Sequence, residues 1–263
     1  MIRQMFKSNK IYIKILLFFF ILINSSVSEE IKIPEHDWSF KGITGKFDRS
    51  SLQRGYQVYT EVCSSCHSMS LLSYRNLGEK GGPEFSVEQV KAIAANFEVI
   101  DGPNNDGEMF TRPGRPSDKF VSPYPNVQAA MAANGGAYPP DMSVLVKARK
   151  GGADYIYSVL TGYTEPPTNF ELEEGVYYNK YMEGNKIKMS NPLSDDLVSY
   201  SDGTKATEAQ MAKDVTTFLT WAAEPHLEAR HKLGFKVIIF LIILSILVYF
   251  SMRRLWSRID SKE

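Results

Sequence analysis

The stretch SSLQRGYQVYTEVCSSCH, residues 50–67, holds both cysteines of a 263-residue chain and one of its four histidines. Leu52, Tyr56, Tyr59 and Cys63 recur at the spacing of one helical face, with Ser50 or Ser51 as a cap. The pattern predicts a helix whose last turn presents Cys63, Cys66 and His67. Cys-x-x-Cys-His is the attachment pattern of haem c: each thiol adds to one vinyl group to form a thioether, and the adjoining imidazole offers an axial nitrogen to the iron. A redox-active cysteine pair would call for a strand before the motif, and a zinc site for two further ligands at recognisable spacing; neither context is present. One motif implies one haem c, covalently bound. The absence of a third cysteine leaves no thiol for a disulfide once both thioethers form.

The two ends of the chain predict where this chemistry takes place. Residues 1–28 open with Arg3, Lys7, Lys10 and Lys14, continue through an unbroken apolar run from Ile15 to Ile23, and end on Ser26-Val27-Ser28. This is the make-up of a signal peptide cut after Ser28; an uncleaved anchor is the rival reading, for which the apolar run is short against the ~20 residues of a span. Near the other end, Val237 to Met252 is apolar except for Ser245 and Ser251, and as a helix it covers ~24 Å of a ~30 Å hydrocarbon layer. Lys236 can snorkel outward on one side. Trp256 with Arg253, Arg254 and Arg258 marks the other side as cytoplasmic. The expected organisation is a signal peptide over 1–28, a periplasmic haem c domain over 29–232, a transmembrane anchor over 233–252 and a basic cytoplasmic tail over 253–263. The chain would then be a single-pass protein of the inner membrane.

Charge follows the same division. Thirty basic residues balance thirty acidic ones overall, but the first 28 residues carry four basic groups and no acidic ones, and residues 236–263 carry five against two. The exported part, residues 29–235, is left with about −7. An acidic domain disfavours nucleic acid, whose binders are basic, and suits a basic soluble partner drawn in by long-range attraction, or solubility alone.

The sixth iron ligand separates an electron carrier from a haem with an open site. Met69 lies too close to His67 to reach the far haem face, which leaves Met109, Met131, Met142, Met182, Met189 and Met211 within the exported part. Met211 belongs to the core stripe Met211, Val215, Phe218, Ala222 of a helix opened by Thr207 and Gln210, and Met142 follows a helix start at Asp141. Met189, in KIKMSNPL, stands in a loop ahead of Pro192, which suits a distal ligand and equally suits an ordinary loop methionine. His226 and His231 approach the membrane span, and His36 reads as an exposed residue near the new amino terminus.

Elsewhere short capped helices alternate with loops. Ser86 and Gln89 form a capping box over Val87, Val90, Ala94 and Phe97; DMSVLVKARKGG starts at Asp141 and stops at Gly151-Gly152; DYIYSVLTGY runs from Asp154 to Gly162. Residues 101–126 are rich in Gly, Pro, Asn and Asp without periodicity, a length of loop that often wraps a cofactor. Arg112, Arg115, Arg149 and Lys150 are candidates for the haem propionates, with solvated surface as the alternative. The expected fold is mainly α, with little sheet.

In their order along the chain, QRGYQVYTEVCSSCHSMSLLSYRNL, DGPNNDGEMFTRPGRPSD, NGGAYPPDMSVLVKARKGGADYIYSVLTGYTEPP, KMSNPLSDDLVSYSDGTKAT and AKDVTTFLTWAAEP resemble the cytochrome c1 family. The likeness extends over residues 35–258. It implies a class I cytochrome c-like haem domain with long loops and a C-terminal transmembrane helix. It also implies Cys63 and Cys66 as thioether sites, His67 as proximal and Met189 as distal ligand, and Arg149 and Tyr155 as propionate contacts. A family member is an electron-transfer subunit, not an enzyme by itself. It takes single electrons from a Rieske iron-sulfur protein to a cytochrome c, beside cytochrome b in a dimeric ubiquinol:cytochrome c oxidoreductase.

Overall fold

The computed structural model describes residues 31–260, so the signal-peptide reading of residues 1–28 lies outside the described residues. In chain order the helices are α1 (Arg49–Val58), α2 (Val87–Ala95), α3 (Val127–Ala133), α4 (Gly152–Thr161), α5 (Glu208–Ala223) and α6 (Leu227–Asp260). Two antiparallel strand pairs intervene, β1 (Glu98–Asp101) with β2 (Phe110–Pro113), and β3 (Tyr177–Tyr178) with β4 (Lys186–Ile187). The fold is mainly α with little sheet, as the sequence suggests.

The cap of α1 is Asp48, whose carboxylate accepts the Ser51 amide at 3.0 Å. Ser50 and Ser51 both lie inside the helix, and the Ser51 hydroxyl is taken by Asp214, to which it donates at 2.6 Å. The predicted stripe is otherwise present: Leu52, Tyr56 and Tyr59 are buried. Beyond Val58 the helix widens into a π-helical turn, Tyr59–Cys63. Such single wide turns recur at functional sites because they rotate the following residues relative to the helix face.

The core forms where α1 packs on α5. A Cβ on Gly55 would stand 2.1 Å from the Asp214 carbonyl oxygen and 2.7 Å from Phe218 Cβ, so only glycine permits this approach. Met211, Val215, Phe218 and Ala222 are all buried, as the stripe predicted, and Thr207 caps α5 by accepting the Gln210 amide at 3.2 Å. The Gln210 side chain does not complete a capping box; it donates to Asp214 at 2.9 Å. Aromatic rings extend this core towards the motif: Tyr59 stacks on Phe120 at 6.1 Å, and Phe120 meets Tyr74 at 4.7 Å.

Helix α2 has the predicted Ser86–Gln89 capping box and buries Val90 and Ala94, while Val87, in the first turn, is exposed. Helix α4 starts at Gly152, two residues before the expected Asp154, and ends at the expected Gly162. Residues 141–150, expected as a helix, form a succession of turns. That segment is tied at both ends rather than free to wind as a helix: Met142 N is bound to Ser68 O at 2.8 Å, and Gly151 turns the chain at φ +88°. The unperiodic loop contains β2, which pairs with β1 just ahead of it, and Arg112 pins the pair by bonding Asp101 and, at 2.7 Å, Asp118.

Helix α6 spans 34 residues, roughly 51 Å at the α-helical rise. It is the one helix among the described residues long and apolar enough to cross a membrane, and its apolar side chains from Val237 to Phe250 are exposed. It begins at Leu227, ahead of the apolar run, with a polar first turn docked on the folded domain. Glu228 accepts from Phe47 N at 3.0 Å and from Arg49 at 2.9 Å, and just ahead of the helix Glu224 pairs with Lys147 at 2.7 Å.

Candidate haem site

The motif is a single tight turn after the π-helical segment. His67 N and Cys66 N both donate to the Cys63 carbonyl, at 2.9 and 3.2 Å, and the Tyr59 hydroxyl donates to the His67 carbonyl at 3.3 Å. The buried Tyr59 ring thereby fastens the end of the motif to the aromatic core. Both thiols are free and half-buried. Burial, with the neighbouring Cys66, pushes the Cys63 thiol up to about 12, so it is held neutral.

Nδ1 of His67 lies 2.8 Å from the Pro140 carbonyl oxygen. A carbonyl can only accept, so Nδ1 carries the proton and Nε2 keeps its lone pair for a metal. Burial holds the imidazole below its ordinary pKa, against the opposing effects of the Pro140 bond and Asp141, which also favours the neutral ring that ligates. The sequence pointed to His67 but not to Pro140 or Asp141; the turn-forming run Tyr138-Pro139-Pro140-Asp141 was the available signal.

The methionines divide by environment. Met142 and Met211 are core residues, and Met109 and Met131 are exposed. Met182 Sδ receives the Tyr155 hydroxyl at 3.2 Å. Met189 sits half-buried against the edge of the core, two residues after β4, and its carbonyl accepts the Tyr163 hydroxyl at 3.0 Å. That bond holds the backbone of the loop that carries the thioether. The next residue back, Lys188, donates to the Gly135 carbonyl at 3.0 Å.

Arg149 and Tyr155 flank the Gly151-Gly152 turn. Burial raises the Tyr155 hydroxyl above its ordinary value, with the Arg149 charge opposing that. The Arg149 guanidinium is exposed and donates to the Ala148 carbonyl at 3.1 Å. Arg112, another propionate candidate, is spent on Asp101 across the strand pair and on Asp118 in the turn after β2. His36 is not a free surface residue: its ring meets Tyr157 at 4.4 Å and its amide donates to Asp154 at 2.9 Å. His231 Nδ1 is 3.3 Å from the Gly45 carbonyl oxygen, at the foot of α6.

The donor set fits a covalently held haem: two free thiols on one turn, an imidazole whose outer nitrogen is already bonded to a carbonyl, and a loop thioether with a fixed backbone.

Comparison with known proteins gives the same direction. A family model described as "Cytochrome C1 family" matches residues 38–259. The chain is 53% identical over 245 residues to "Cytochrome b/c1" of Bradyrhizobium diazoefficiens, covering 86% of this chain and 36% of that protein. It is 51% identical over 234 residues to "Cytochrome c1 1, heme protein, mitochondrial" of Arabidopsis thaliana, covering 89% of this chain and 75% of the relative. With "Cytochrome c1" of Rhodospirillum rubrum it shares 46% identity over 242 residues, covering 86% and 88%. The chain thus spans about a third of the Bradyrhizobium protein and most of the other two.

Proposed function

The chain belongs to the cytochrome c1 family, and we propose that it is the mono-haem electron-transfer subunit of a membrane-bound quinol:cytochrome c oxidoreductase. In this reading Cys63 and Cys66 form the two thioethers, His67 is the proximal ligand through Nε2 and Met189 the distal ligand. Arg149 and Tyr155 hold the propionates; for Arg149 this means exchanging a bond to its neighbour's carbonyl for a charge-assisted pair. The bound haem iron would accept and release one electron between its ferrous and ferric states.

The observation that carries the proposal is the 2.8 Å contact between His67 Nδ1 and the Pro140 carbonyl, on the same turn as two free thiols. It commits the imidazole to the tautomer that a haem ligand needs. The protein's own contribution is then ligation, burial and a docking surface; bond-making chemistry is not required of it.

The donor is the Rieske iron-sulfur protein and the acceptor a soluble or membrane-tethered cytochrome c, for which the acidic charge of the exported part supplies the attraction. The name "Cytochrome b/c1" borne by the Bradyrhizobium relative supports cytochrome b as a neighbour; a dimeric complex is what the family resemblance implies. Helix α6 anchors the chain in the inner membrane, with the haem domain in the periplasm and the carboxyl terminus in the cytoplasm.

Purification in mild detergent tests the assignment. Cytochrome b and a Rieske protein are expected to accompany the chain, and repeated isolation without either overturns it. Rapid carbon monoxide binding by the native reduced protein would likewise contradict a carrier with both axial positions filled.

A further inference from the structure

We propose that Asp141 is the positioning residue for the proximal ligand, fastening the Pro140 carbonyl against the His67 imidazole and so fixing the direction and strength of that bond. The inference rests on the haem reading above.

The Asp141 carboxylate joins the two segments that meet at the imidazole. Oδ2 accepts from the Ser68 hydroxyl at 2.9 Å and from the Ser70 amide at 2.9 Å, while Oδ1 accepts from the Ser143 amide at 2.8 Å. Two further bonds complete the seam: Met142 N to the Ser68 carbonyl at 2.8 Å, and Leu71 N to the Ser143 hydroxyl at 3.0 Å. Ser143 has no solvent exposure. His67 adjoins Ser68 and Pro140 adjoins Asp141, so the bond between His67 and Pro140 lies one residue from the seam on both strands of chain.

Residues 67–72 and 140–150 are irregular turns, so no helix or strand ladder sets their separation at this point. The proline ring restricts its own φ, but it does not determine where the whole turn sits. Hydrogen bonds to an ionised carboxylate are the strong kind, and Asp141 accepts three of them. An Nδ1–H donated to a carbonyl makes an imidazole a better donor to its metal and holds its ring plane. A better donor favours ferric iron, so loosening the seam should favour the reduced state.

The test is redox titration and low-temperature EPR of the haem-loaded protein in its purified complex. Asp141→Ala is expected to shift the reduction equilibrium towards the ferrous form by up to about tenfold, which is about 59 mV for one electron, and to move the largest ferric g value. Asp141→Asn keeps one side-chain oxygen acceptor and should shift both readouts less. Asp118→Ala is the control: it also removes three hydrogen bonds, from Arg112 and from Arg115 N, but in the turn that follows β2. It should leave both readouts at their wild-type values.

Wild-type values in Asp141→Ala would overturn the proposal, as would an equal shift in Asp118→Ala. Should Asp141→Ala fail to accumulate, Asp141→Asn and Ser68→Ala decide: displaced readouts support the positioning role, and unchanged ones overturn it. Loss of haem from the wild-type protein on denaturation is a different result, because it defeats covalent attachment and with it the reading on which this inference depends.

Discussion

Asp214 has no exposed side-chain surface, and its carboxylate is held by Ser51 Oγ at 2.6 Å, Gln210 Nε2 at 2.9 Å and Arg54 through Nε at 2.8 Å and Nη2 at 3.0 Å. Arg54→Ala would leave that carboxylate buried at the α1–α5 contact with two neutral donors. Breaking a buried pair by removing one partner costs about 3–5 kcal/mol, at least roughly a fifth of the stability of a domain at ~5–15 kcal/mol. With a guanidinium slope of about 4 kcal/mol per molar, the unfolding midpoint should fall by roughly 1 M. Tryptophan fluorescence in detergent can follow the transition, since Trp38 and Trp221 are both buried in the folded domain. Arg54→Ala with Asp214→Asn removes the stranded charge and should recover at least half of the loss. A single variant that loses less than about 1 kcal/mol, or a double variant less stable than the single one, would refute the electrostatic argument.

Gly55→Ala should destabilise by about 3 kcal/mol or more, at the top of the usual overpacking range, because the new Cβ meets Asp214 backbone that cannot step aside; a midpoint within error of wild type would contradict the packing. Asp118 is held down to about 2 by the hydrogen bonds of Arg112, and Asp202 to about 2 by the Thr204 amide and Arg54. Their stabilisation is present above the ordinary carboxylate range and is lost as pH falls from about 4 towards 2, so unfolding midpoints should decline across that interval; a flat profile there would count against both pairs. Electron transfer to a basic cytochrome c should slow as salt rises, because the exported part carries about −7; a salt-independent rate would reduce that charge to solubility.

What could be read in the sequence was whatever is encoded by residues close in the chain. The Cys63–His67 motif, the apolar run of α6, the Ser86–Gln89 box and the Met211–Ala222 stripe are each patterns of neighbouring residues, and the structure has helices where the last three lie. The cap of α1 was misread because Ser50 and Ser51 are good caps by type, and only the fold shows Ser51 committed to Asp214, 163 residues away. The π-helical turn has no period of its own. The β1–β2 pair was hidden because each strand is only four residues long and their sequences, EVID and FTRP, do not alternate polar with apolar residues. Asp141 looked like a helix start because it precedes an apolar run and does accept an amide two residues on; its bonds to Ser68 and Ser70 come from the other side of the site. The residues around the imidazole are thus set by long-range contacts, and their roles emerge only when the two turns are seen together.

The spectrum of the ferric protein, wild type beside Met189→Leu, tests the central claim most directly. If Met189 is the distal ligand opposite His67, the wild-type protein shows a methionine-to-iron charge-transfer band that the variant lacks, and the variant's reduction potential falls as the thioether that favours ferrous iron is lost. An unchanged band and potential in Met189→Leu would contradict the account.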